Sequence, residues 1–129
     1  MEKVRQTSGV QKLLSEYRPA VWRKSLLEAV PGIGKRALEV CTEQMRFTRE
    51  LALTLRGNKL LGEKLYWIIY ATYLSGRQPA DVDEILGYIA GKYKHVPRRT
   101  YFRLKRKAIQ MLEACLDTMT DKNLQANFK

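Results

Sequence analysis

ADVDEILGYIAGKYKHVPRRTYFRLKRKAIQMLEACLDTM, from Ala80 to Met119, is the stretch on which the reading of this chain turns. Between Glu84 and Glu113 it holds no acid and eight basic residues: Lys92, Lys94, Arg98, Arg99, Arg103, Lys105, Arg106 and Lys107. They gather at the start and front half of a helical pattern whose back half is apolar. Tyr101, Leu104, Ala108, Leu112 and Cys115 recur at steps of three and four, which marks a packed face. Arg99, Phe102, Arg103 and Arg106 fall on a different face with the same spacing. A solvated helix face usually mixes signs, so a run of one sign points to a polyanion, and a helix that is basic at its N-terminal end suits a nucleic-acid groove.

Composition agrees. The 129 residues carry a formal net charge of +11, with 45% hydrophobic and 29% charged residues. That is a globular balance, long enough to bury a core as one compact domain, and the charge favours DNA, RNA or an anionic surface. The N-terminus has no apolar signal segment, and the longest apolar run, Leu60 to Leu74, is too short to span a bilayer. A cytoplasmic protein with no membrane partner is expected. Cys41 and Cys115 are far apart, neither in a CxxC pair, and His95 is the only histidine. Buried thiols explain them, and no metal site is expected.

Taken in order, the spacing predicts an all-α fold of about six helices. Eight loose polar residues precede a helix from Val10 towards Tyr17. Pro19 is expected to start a second helix with Val21, Trp22, Leu26 and Leu27 on one side, and Val30-Pro31-Gly32 breaks it. Ile33, Ala37, Cys41, Met45, Thr48, Ala52 and Leu55 form the stripe of a third helix, ended by Gly57-Asn58. Leu60 to Leu74 is apolar nearly all round and should be central. After a turn at Ser75 to Pro79, a short helix begins near Asp81 with acids in its first turn, where the helix dipole favours them. Gly91 and the KYKHV segment close it, and Pro97 opens the last helix, to about Met119. Three regions follow: 1–57 for packing, dimerisation or partner contact; 58–119 as a helix-turn-helix with a tight connection; 120–129 as a polar tail.

Within this scheme Arg99, Arg103 and Arg106 present guanidinium groups able to take guanine O6 and N7 or to grip phosphate. Arg98, Lys105, Lys107, Lys92 and Lys94 flank them and suit phosphate contacts that set register. Thr100 is a hydroxyl donor for phosphate, and Tyr101 is expected in the core.

The block DEILGYIAGKYKHVPRRTYFRLKRKAIQMLEACL resembles region 4 of bacterial sigma factors. It is more similar still to the sigma-like late-gene activators of Gram-positive phages and prophages, of the ArpU and RinA type. The resemblance rests on Ile85, Ile89-Ala90, the Arg98-to-Arg103 stretch, and Ala108 with Leu112, and it covers the last 50 to 60 residues. It implies a helix-turn-helix whose second helix starts at Arg98 and brings Arg98, Arg99, Thr100 and Arg103 to DNA. Such proteins usually have a capping serine where this chain has Pro97. A second stretch, Leu27 to Ala37, resembles the helix-hairpin-helix, in which Gly32, Gly34 and Lys35 would offer a nonspecific phosphate contact. The small residue of that motif stands at Ala37, with Leu38 in its usual place, and an ordinary Pro-Gly turn is the preferred reading.

No nucleophile and base can be assembled around one histidine, and neither a P-loop nor a dinucleotide fingerprint is present. An enzyme and a cofactor are therefore not expected. The expectation is a sequence-specific regulator of double-stranded DNA, with RNA polymerase and a second copy of the chain as further partners. Two rivals stay open: a nonspecific DNA- or RNA-binding module, and a polymerase-binding adaptor.

Overall fold

The apolar run in the middle of the chain becomes the hub. In the computed structural model, which describes residues 9–30, 32 and 34–127, it forms α4 (Gly62–Ile69) and continues as a π-turn over Tyr70–Leu74. Leu65, Ile68, Ile69, Ala71 and Leu74 are buried there on more than one side. Around it stand α1 (Gly9–Ser15), α2 (Tyr17–Ala29), α3 (Lys35–Leu53), α5 (Val82–Lys92) and α6 (Arg98–Asn127). The fold is all-α: among the described residues there is no strand, and no helix is long and apolar enough to cross a membrane. The loose start expected at 1–8 lies outside the described residues, as do Pro31, Ile33 and positions 128 and 129.

One core runs through both the 1–57 and the 58–119 regions. Val10, Leu14 and Tyr17 join Leu51, Ala52 and Leu55, the hub residues, Ile85, Ile89 and Val96, and Tyr101, Leu104, Ala108 and Leu112 in a single buried cluster. The chain ends α3 with a 3-10 turn at Thr54–Gly57 and re-enters at once. Asn58 shapes the bend by accepting the amides of Leu60 and Leu61 on its side-chain oxygen. Gly62 is required at the next step, because a Cβ there would lie 2.8 Å from the Leu55 carbonyl oxygen and 3.0 Å from the Arg56 Cα. Leu60, expected inside the helix, sits in this turn and is 93% exposed.

Three further expectations are corrected. Helix α2 starts at Tyr17, not at Pro19, whose missing N–H falls harmlessly in the first turn. Its Trp22 and Leu26 are 67% and 49% exposed, because α2 beyond Ala20 packs chiefly on α3 and turns Val21 and Leu27 inward. The stripe on α3 is buried only from Cys41 onward; Ala37 is exposed and Leu38 is the half-buried residue. The described residues from 22 to 40 thus form a helical arm that leaves the core. Finally, α6 does not end at Met119 but continues as helix to Asn127, since elongating an existing helix costs little where the sequence has no Gly or Pro.

Arg18 locks the base of the arm to the hub. Its Nε donates to the Ser75 carbonyl (2.9 Å), Nη1 to the Thr72 carbonyl (3.0 Å) and Nη2 to Ser75 Oγ (2.9 Å). These are the carbonyls that a helix end leaves without intrahelical partners. Partial burial lowers the guanidinium pKa, although it stays charged.

Candidate nucleic-acid interface

Asp81 begins the local structure that presents α6. Its carboxylate accepts the Glu84 amide at 2.9 Å, capping α5 as the acidic first turn suggested. Five residues, Tyr93 to Pro97, link α5 to α6, a longer connection than a tight turn, and Val96 anchors it at 1% exposure. Pro97 stands at the head of α6, and its carbonyl accepts the Tyr101 amide at 2.8 Å. Arg98 Nη1 meets Asp83 Oδ1 at 3.1 Å and so bridges the heads of the two helices.

Packing sets the rotation of α6. Tyr101, Leu104, Ala108 and Leu112 are each at most 1% exposed. The Tyr101 hydroxyl lies 2.8 Å from Thr72 Oγ1, which itself donates to the Ile68 carbonyl at 2.6 Å. Thr72 has one proton to give, so the tyrosine is the donor between them. A polar peg on the hub therefore fixes the first turn of α6, and burial raises the Tyr101 pKa.

The opposite face follows from helix geometry. At about 100° per residue, Arg99, Arg103 and Arg106 fall within roughly 60° of one another and roughly opposite Ala108. All three are exposed, and among the described residues none of them has an ion-pair partner. No acid occupies the first turn of α6, so Arg98 and Arg99 sit at the positive end of the helix dipole, where cations are locally unfavourable. An incoming anion removes that conflict.

The remaining basic residues divide. Lys107 is exposed on one flank of the arginine face, and Phe102, 42% exposed, lies on the other. Thr100 is half-buried. Lys92 and Lys94 are exposed at the end of α5 and in the link, with ammonium groups 5.9 Å from the Tyr88 ring and 5.0 Å from the Tyr93 ring. Lys105 is not brought to the arginine face. It is half-buried, 5.9 Å from both the Tyr73 and Tyr101 rings, and desolvation lowers its pKa.

Gly32, Gly34 and Lys35 stand at the tip of the arm. Gly32 has φ 89° and Gly34 φ 70°, the left-handed region that glycine tolerates. A Cβ on Gly34 would also lie 2.9 Å from Leu27 Cδ2. Gly34 precedes α3 without a side-chain cap, and Lys35 is exposed. The tip is some 27 Å along α3 from the core end of that helix, at about 1.5 Å per residue.

Arg18 is the residue that sequence reading missed. Its partners lie 53 to 57 positions away, and a lone arginine before a proline carries no local signal of them. Comparison with protein-family models, curated proteins and solved structures returned no match.

Proposed function

We propose that this chain is a sequence-specific double-stranded DNA-binding transcriptional regulator that lays the N-terminal end of α6 in the major groove. One observation carries the reading. Three arginines, Arg99, Arg103 and Arg106, share the face of α6 opposite the core and have no acidic partner among the described residues. Planar guanidinium groups on an exposed helix face match the paired acceptors on guanine. The head of the helix and Lys107, Lys92 and Lys94 supply phosphate contacts that set register. The likeness to sigma-region-4 regulators of the ArpU and RinA type points to activation of phage or prophage late genes, with α5 and α6 as the helix-turn-helix.

Selection of random duplex DNA by the protein at near-physiological salt, read by sequencing, tests the proposal. An enriched motif supports base reading. If the motif is symmetric, its half-sites lie about one helical turn apart and report a dimer. Retention without any motif reduces the protein to a nonspecific binder, and competition between duplex DNA and RNA then separates those two ligands.

A second reading, an adaptor that docks on RNA polymerase, is favoured by the exposed Trp22, Leu26 and Val30 on the arm. It predicts that Arg99→Ala with Arg103→Ala leaves function intact.

A further inference from the structure

Single exposed apolar side chains are ordinary on protein surfaces. Phe102 differs in where it stands and how it is held. Its ring packs edge-on against buried Tyr101, with centroids 5.1 Å apart and planes at 69°. Tyr101 is itself pegged to Thr72, so the ring rests on the rigid part of α6. Cations surround it: the Arg98 guanidinium carbon is 5.7 Å from the ring centroid, Arg99 lies one turn before it and Arg106 one turn after. An apolar protein partner would have to bury those charges to reach the ring. A nucleic acid would not, because its phosphates satisfy the cations while its base edges offer apolar groups.

The ring also borders a shallow recess of about 260 Å³, lined by Gln11, Phe102, Lys105, Arg106, Ile109 and Gln110. Phe102 and Ile109 make one wall apolar, and the other lining groups are amides and cations. In the major groove the one apolar feature of a base edge is the C5-methyl group of thymine, and phenylalanine is among the side chains that contact it.

We infer that Phe102 is a specificity-determining residue that reads a thymine by its C5-methyl group, beside the bases read by Arg99, Arg103 and Arg106. The inference rests on the major-groove placement of α6 proposed above. Uracil lacks the methyl and keeps every hydrogen-bonding group, so a thymine-to-uracil exchange isolates this contact from the arginine contacts.

The test starts from the duplex enriched by selection. Each thymine is replaced singly by deoxyuridine, and affinities are measured for the wild type, Phe102→Ala and Phe102→Leu. The expected result is one sensitive thymine for each bound α6, weakened about fourfold, the value of one buried methyl group. Phe102→Ala should bind the thymine and uracil duplexes equally, and Phe102→Leu should keep part of the preference. A helical circular dichroism spectrum for each variant establishes that it folds. An enriched motif with no uracil-sensitive position, or a sensitivity that survives Phe102→Ala, overturns the inference while leaving the DNA-reading function standing. A selection without any motif overturns both.

Discussion

The arm and the face of α6 are both exposed helix surfaces rich in charge, yet they are built by opposite rules. On the arm and its continuation the two signs are mixed and several charges pair: Lys24 with Glu28, and Arg46 with both Glu43 and Glu50. The arm itself also exposes four large apolar residues, Trp22, Leu26, Val30 and Val40. The face of α6 carries one sign from Arg98 to Lys107, leaves Arg99, Arg103 and Arg106 without acidic partners among the described residues, and exposes one ring. Paired surface charges satisfy one another and imply no ligand. A crowd of like charges at a helix head is disfavoured by the dipole and by mutual repulsion, so its presence points outside the molecule.

That contrast can be broken most sharply by exchanging the surface that is altered. Arg99→Ala with Arg103→Ala should remove specific DNA binding, at about 1–3 kcal/mol for each base-reading arginine. Trp22→Ala should leave the same affinity unchanged in titrations at fixed salt. Equal losses from both changes would erase the distinction between arm and face.

Stability should divide along the same line. Leu104→Ala empties a site of 1% exposure and is expected to cost about 2–5 kcal/mol in denaturant unfolding. Leu26→Ala on the arm should cost well under half of that, because the side chain is already half in water. If Leu26 proves as costly as Leu104, the arm is covered in solution.

Arg18 stands where the two regions meet. Arg18→Met keeps the unbranched stem of the side chain but leaves the carbonyls of Thr72 and Ser75 without their donor, and a loss of about 2–3 kcal/mol is expected. Hydrogen exchange at the 70–75 segment should rise with it. Protection unchanged there would show that the clamp does not hold the π-turn.

The smallest effect concerns the flank. Lys107→Ala should weaken binding to all sequences alike and reduce the slope of log affinity against log salt by about one. A sequence-dependent loss would move Lys107 among the base readers.

Part of this design is legible in the linear chain. The apolar run at Leu60 to Leu74 announced the hub, and the acids after Asp81 and Pro97 marked the heads of α5 and α6, because these signals act within one turn of themselves. The steps from Tyr101 to Leu112 identified the buried face of α6 and, by elimination, the arginine face. The arm was harder: Val21, Trp22, Leu26 and Leu27 read as one side of a helix, and periodicity reports that a stripe is apolar, not that anything lies opposite it. The extension of α6 past Met119 was hidden for a related reason, since the segment has neither a stripe nor a breaker.

What the sequence determined by itself is therefore local: that the chain is helical, where most helices begin, and that the head of α6 carries like charges. Which faces are covered was decided by the tertiary structure. It turned Lys105 towards Tyr73 and away from the arginines, left the arm beyond Ala20 with chiefly α3 to pack on, and set Arg18 on carbonyls more than 50 positions away. Covering a face requires a neighbour, and neighbours distant in sequence leave no periodic trace in it.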